Sequence, residues 1–183
     1  MHQSLKGKLL LDGGLLRGSY FHRTVILICS YTEEGAFGLV LNRPSPSTLG
    51  EVLPEEILPG LQSEPLFLGG PVAETEVSYL YSDNFLLNAN VMANLQMGRS
   101  LEDLAGLSES PTTTQRVRVF AGYAGWGPKQ LEGEMQRGSW LTHPASPDLV
   151  FEESVGELWK KILLTKGWEQ RLLAESPDDP SAN

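Results

Sequence analysis

The 183-residue chain predicts a single domain of mixed α and β structure, and three observations carry that prediction. Its length suits one domain, and a content of 40% hydrophobic and 20% charged residues is that of a globular protein. The apolar, β-branched run from Thr24 to Tyr31 has the length of a buried strand. Val155, Leu158, Trp159, Ile162 and Leu163 repeat with the period of an amphipathic helix. A chain of this size removes about 70% of its unfolded surface from water, so its core needs no disulfide or structural metal.

The elements follow in order. Lys6 and Lys8 precede Leu9, Leu10 and Leu11, but Asp12, Gly13 and Gly14 end that run too early for a signal-peptide core. Thr24 to Tyr31 and Ala36 to Asn42 predict a β-hairpin joined by Thr32-Glu33-Glu34-Gly35, and Pro44 and Pro46 stop it. Leu49, Val52 and Leu53, at helical spacing among prolines, predict a short helix in a long connection. Leu66 to Leu68 and Val77 to Ser82 read as strands on either side of Gly69-Gly70-Pro71. Asn88 to Gly106 predicts a helix in two pieces broken near Gly98, and Ser108 to Gln115 a polar loop. Val117 to Tyr123 is a strand that runs into the densest glycine cluster of the chain. Pro128 suits the first position of a helix reaching about Arg137, with Gly138 ending it. Ser139 to Thr142 is a further strand, and Ser154-Val155-Gly156-Glu157 fits a capping box at the head of the last helix. The domain is expected over residues 1–174, and the Ser-, Pro- and Asp-rich residues 175–183 form an acidic tail expected to be disordered.

Charge and composition narrow the function classes. Fourteen Lys and Arg against 23 Asp and Glu give a net charge of −9, which disfavours direct DNA binding, since that affinity comes from neutralising phosphates. No run nears the ~20 apolar residues of a membrane span. The single cysteine, Cys29, suits a reducing compartment, so a soluble cytoplasmic protein is expected. With three histidines, one cysteine and no HExxH or paired CxxC spacing, neither a metal nor another cofactor is expected. There is no GxSxG elbow, and Cys29 lies in the most apolar strand, where a thiol is inert.

The best candidate site is Ala121-Gly122-Tyr123-Ala124-Gly125-Trp126-Gly127, set between a strand and a helix, where exposed N–H groups can hold an anion. Its GxxGxG spacing is neither a dinucleotide fingerprint nor a P-loop. The other reading is a tight turn that packs Tyr123 and Trp126 into the core. Gln130 and Glu134, four apart, share a helix face that either meets the glycine segment or is solvated. Arg43, after Asn42, can clamp an anion or bind loop carbonyls. His22 beside Arg23 is an anion-binding pair or a solvated strand edge.

Taken together the motifs resemble the YqgE/AlgH family of bacterial proteins from about Leu5 to Leu164. The matching stretches are Gly7-Lys8-Leu9-Leu10, Phe21 to Cys29, Gly35 to Pro44, Gly69-Gly70-Pro71-Val72, Gly122 to Trp126, Gln130-Leu131-Glu132, Glu134 and Trp140-Leu141. Departures fall at turns and helix starts, at Asp12 to Tyr20, Lys129 and Ser139. The resemblance implies an α+β fold whose bifurcated, mostly antiparallel sheet curls into a pseudo-barrel flanked by helices. It implies no catalytic residue, and it points to an indirect role in transcriptional regulation. The expected function is a non-catalytic binding or regulatory domain. In it Asn42, Arg43, Gly69, Gly70, Gly122, Tyr123, Gly125, Trp126, Gln130 and Glu134 converge on a small anionic ligand or a protein partner. The alternative is a small-molecule enzyme with Glu134 or His22 as general base and Arg43 as anion clamp.

Overall fold

The Leu9–Leu11 run is long enough to cross a sheet, and in the computed structural model it does so as β1, Lys8–Asp12. Residues 4–53, 60–84, 86, 89–108 and 113–178 are described. β1 lies between β2 (Val25–Thr32) and β9 (Trp140–Pro144) and is antiparallel to both. β2 returns as β3 (Gly35–Val40), giving the predicted hairpin with a tighter turn, because Thr32 and Gly35 are themselves paired. β4 (Pro44–Thr48) leads through the predicted short helix, α1 (Leu49–Val52), to β5 (Pro65–Leu68). β6 (Val72–Ser82), β7 (Leu95–Gly98) and β8 (Arg116–Trp126) complete nine strands among the described residues.

The strands form one sheet in the order β4-β5-β8-β3-β2-β1-β9, with β6 also on β8 and β7 outside β6; the sheet is not closed. Every pairing is antiparallel except that of β5 with β8. The expected α+β domain is therefore present, and its bifurcation lies in β8. Residues 116–121 of that strand pair with β6, and Val119, Phe120 and Ala121 among them also pair with β5. Ala124, Gly125 and Trp126 pair with β3 instead.

Period-two alternation sorts the central strands into two cores. Leu9, Leu11, Val25, Leu27 and Leu39 face Leu158, Trp159, Ile162 and Leu163 of α5 (Leu158–Leu164) and Ala174 of α6 (Trp168–Glu175). Leu10, Ile26, Ile28 and Val40 face Trp126, Trp140 and Leu131 of α3 (Gln130–Gln136). A third cluster joins Tyr79, Tyr81 and Val119 to Leu49 and to Leu104 of α2 (Leu101–Ser108). The short α4 (Pro147–Val150) starts at Ser146, whose Oγ accepts the Leu149 N–H at 3.3 Å. No helix among the described residues is long and apolar enough to cross a membrane.

Four expectations are corrected. The first piece of the helix expected over 88–106 is instead the strand β7, although Asn88 lies outside the described residues. Asn94 takes a φ of 60°, which turns the chain, and Leu95 to Gly98 then pair with Tyr79 to Ser82. The glycine cluster is not a strand-to-helix turn, because β8 continues through it to Trp126. Pro128 does not begin α3; it precedes Lys129, whose φ of 61° makes the turn, and the helix starts at Gln130. Ser154 makes no capping box, since its ψ of 58° is not extended and Val155–Glu157 forms a single 3₁₀ turn ahead of α5. The polar stretch 108–115 includes residues 109–112, outside the described set, as are 179–183 of the expected tail. The helix α6, which was not foreseen, carries the described chain on to Asp178.

Gly138 does end α3, with a φ of 75°. Its N–H donates to Met135 O at 3.0 Å while the Ser139 N–H donates to Glu134 O at 3.0 Å, the paired bonds of a Schellman cap. At Gly122 the constraint is harder: φ is 69°, and a Cβ there would run into Gly70 O. Left-handed backbone and overpacking each cost ~1–3 kcal/mol. Gly122→Ala is accordingly expected to lower unfolding free energy by roughly 3 kcal/mol, read from a urea midpoint, whereas Gly106→Ala, where a Cβ meets nothing within 4 Å, should not destabilise.

Candidate functional site

The sequence candidates lie in two places. Asn42 is buried where β2 begins: its Oδ1 accepts the Val25 N–H and its Nδ2 donates to Arg23 O, both at 2.9 Å. The amide thus serves as a piece of ladder between segments that the strand pairing does not reach. Arg43 donates through its guanidinium to His22 O, the loop-carbonyl reading of that residue, and its own carbonyl accepts the Leu68 N–H at 2.8 Å. The chain then runs from Leu68 into Gly69, whose N–H donates to Ala121 O and whose O accepts from Val40.

Gly69 and Gly70 press backbone to backbone on Gly122 and Tyr123: a Cβ on Gly69 would meet Gly122 O, and one on Gly70 would meet Tyr123. The Tyr123 ring packs on Phe37 with centroids 4.7 Å apart. Asn42, Arg43, Gly69, Gly70, Gly122 and Tyr123 are therefore neighbours, and what they build is the branch of the sheet.

The other group surrounds Glu134. Its Oε2 accepts the indole N–H of Trp126 and that of Trp140, each at 2.8 Å, and its Oε1 accepts Gln130 Nε2 at 3.1 Å. Gln130 Oε1 in turn accepts the Gly127 N–H at 3.0 Å. The two indoles meet edge to face at 6.1 Å. Charge-assisted bonds to a carboxylate are stronger than neutral ones, and here they pin α3 to both β8 and β9. The helix face does meet the glycine segment, as one reading of Gln130 and Glu134 held. Gly125 lies at the same end of β8, opposite Phe37 of β3.

A third group joins Asp12, which the sequence reading does not include, to the candidate His22. Asp12 is 0% exposed; its Oδ1 accepts the N–H groups of Gly14 at 2.8 Å and Leu16 at 3.3 Å, and its Oδ2 that of Arg23 at 2.8 Å. An Asp ahead of Gly-Gly is a turn signal that could have marked it. His22 stands beside it, with Nδ1 3.5 Å from Asp12 Oδ2 and Nε2 3.6 Å from Asp178 Oδ1.

An open cleft among the described residues lies elsewhere, about 670 Å³ in volume and lined by Pro44, Phe67, Arg116, Arg118, Phe151 and Glu153 among others. Arg118 sits 4.3 Å over the Phe67 ring and donates to Val150 O at 2.8 Å and Glu152 O at 3.0 Å. Burial lowers its pKa to about 10, which still leaves it charged at neutral pH. Arg116 lies 5.4 Å over Phe151 and pairs at 2.8 Å with Asp148, whose side chain is 91% exposed. A smaller cavity of about 250 Å³ is bounded by Ser4, Leu5, Lys8, Thr142, His143 and Pro144. None of the ten sequence candidates lines either one. Among the described residues no three His, Cys, Asp or Glu side chains are grouped to hold a metal ion.

Residues 9–171 match the family model described as AlgH-like. The chain belongs to the AlgH-like family. Among AlgH-like relatives, a UPF0301 protein of Chlorobium luteolum is 35% identical over 182 residues, covering 97% of this chain and 94% of its own length. The UPF0301 protein CT0663 of Chlorobaculum tepidum is 36% identical over 182 residues, covering 97% and 95%. The solution structure of AlgH from Pseudomonas aeruginosa superposes with a TM-score of 0.70 at 30% identity, covering 97% of this chain and 98% of that one. Protein DIP2367 from Corynebacterium diphtheriae shares the fold with a TM-score of 0.77 at 23% identity, covering 96% and 94%. AlgH-like membership accounts for the fold and assigns no activity, since the UPF0301 relatives are themselves uncharacterised.

Two expected outcomes follow from the polar groups above. Glu134→Ala leaves two buried indole N–H groups without an acceptor, at ~1–3 kcal/mol each; a loss of about 2–5 kcal/mol and a changed tryptophan emission are expected. Glu134→Gln keeps one acceptor oxygen and should lose less. The second concerns alkaline pH. Burial pushes the Cys29 thiol up to about 12 from 9.0, and the hydrogen bond to Glu132, then burial, pushes the Tyr31 hydroxyl up to about 12 from 10.0. Between those limits the unfolded chain binds fewer protons than the folded one, so stability falls as pH rises from 9 to 12. Urea midpoints across that range should decline, and less steeply in Cys29→Ala.

Proposed function

We propose that the chain is a non-catalytic binding domain of regulatory type, whose ligand is a small anion held in the cleft at Arg116 and Arg118. The observation that carries this reading is that cleft: about 670 Å³, within the usual range of ligand sites, with two arginines and two phenyl rings on its walls. Arg118 is already engaged with two carbonyls and sets the shape of the wall. Arg116 lies over Phe151 and pairs with the exposed Asp148, a weak surface pair that an incoming anion can displace. The glycine motifs contribute by holding β8, from which both arginines project.

The enzyme reading is the weaker one. Its bases would be Glu134, whose two oxygens accept three N–H groups, and His22, which stands between two carboxylates. Neither side chain lines either cavity, nor does Arg43. With a net charge of −9, a part in gene control would run through a ligand or protein partner and not through promoter DNA.

Thermal unfolding in the presence of a set of small carboxylate and phosphate metabolites tests the proposal. A ligand at 100 times its Kd adds ~2.7 kcal/mol, which for a chain of this size is several degrees in Tm. The part of the shift that comes from the cleft should vanish in Arg116→Ala. If no anion gives a shift that depends on Arg116, the reading is sunk.

A further inference from the structure

The C-terminal segment after α6 returns to the loop between β1 and β2, where three nitrogens face it. Arg23 Nη1 is 2.6 Å from Asp178 Oδ1, Arg23 Nη2 donates to Ser176 O, and His22 Nε2 lies 3.6 Å from the same Asp178 oxygen. Asp178 is 73% exposed, so the carboxylate occupying this corner sits at its mouth, while the side chains of Arg23 and His22 are 24% and 26% exposed. We propose that Arg23 and His22 form a phosphate-binding site that the chain's own C-terminal segment fills, so that a phosphate group binds by displacing Asp178.

The two basic side chains are held in place from behind. The Arg23 guanidinium lies 5.0 Å over the Trp159 ring, and the Trp159 indole donates to Asp12 O at 3.0 Å. The Arg23 backbone, at a φ of 53°, is fixed by its N–H bond to Asp12 Oδ2 and by Asn42 on its carbonyl. Arg43 fixes the carbonyl of His22. The carboxylate of Asp12 faces His22 Nδ1 from within, so Nε2 is the nitrogen turned toward the tail. The three N–H groups on Asp12 spread its charge into the loop.

Phosphate fits the corner better than carboxylate. The tail has to use two groups, one Asp178 oxygen and one Ser176 carbonyl, to reach the three nitrogens. A phosphate monoester or inorganic phosphate brings three acceptor oxygens on one atom and the charge that an arginine fork matches. The competing internal carboxylate, Asp178, is itself largely exposed, which makes it displaceable.

The test uses the full chain and inorganic phosphate, followed through the indole N–H resonance of Trp159 and the backbone amide of Ser176 at constant ionic strength. Phosphate is expected to move both, acetate at equal ionic strength to move neither, and Asp178→Asn to tighten phosphate binding at least 5-fold by removing the internal competitor. Arg23→Gln should abolish the effect, and Arg23→Lys, which keeps the charge but loses the fork, should weaken it at least 5-fold. Unchanged phosphate affinity in Asp178→Asn overturns the proposal, as does an acetate response equal to that of phosphate. If phosphate binding is instead lost in Arg116→Ala and retained in Arg23→Lys, the anion belongs to the cleft and this site is refuted while the cleft reading stands.

Discussion

Every layer of this molecule depends on one strand having three neighbours. β8 must lie between β5 and β6 in its first half and pass to β3 in its second, and a regular strand with side chains throughout leaves no room for that exchange. Contact of bare backbone solves it: Gly69 and Gly70 lie on Gly122 and Tyr123 where any Cβ would collide. The register with β6 shifts between Val72 and Val77 at the same level, which is how the sheet absorbs the change of partner. The arginines of the cleft and the tryptophan held by Glu134 sit at opposite ends of this strand, so both inherit their positions from the glycine contact.

Sheet ends need polar closure as much as the middle needs close approach. Asn42 completes the ladder where β2 begins, Asp12 gathers three N–H groups where β1 ends, and Glu134 ties two indoles at the end of β8. Each is a buried or half-buried polar side chain with its bonding capacity directed inward, and a group satisfied in that way adds order instead of reactivity. The residues that looked most chemical in the sequence are largely these closures.

That outcome explains which features were legible in the chain. The hairpin of β2 and β3 and the stripe of Leu158, Trp159, Ile162 and Leu163 could be read because burial imposes a period on neighbouring residues. β7 was misread as helix because Ala, Met and Leu between residues 89 and 98 carry helical propensity, and pairing with β6 overrides it. The glycine cluster lies inside β8 and not between strand and helix, because glycine alone does not distinguish a turn from a strand under close backbone contact. Asn42, Arg43, Gly69, Gly70 and Gly122 lie together as packing at the branch of the sheet, apart from Gln130 and Glu134. Arg116 and Arg118 gave no local signal, since two arginines alternating in a strand look like a solvated edge. Only the arrival of Phe67 and Phe151 from distant segments makes them part of a cleft.

The pairing of β1 with β9 gives the chain a particular history during synthesis. Leu10 meets Thr142 across the sheet, so the inner partner of β1, β2, is available early while its outer edge must wait for nearly the whole chain. At ~5–20 residues per second that wait is on the order of ten seconds. For that time the nascent protein presents an apolar strand with unpaired backbone along one side, the kind of edge that recruits other strands. Arrival of β9 both seals that edge and brings Trp140 to Glu134, so the last strand to be added also completes the bond network that fastens α3.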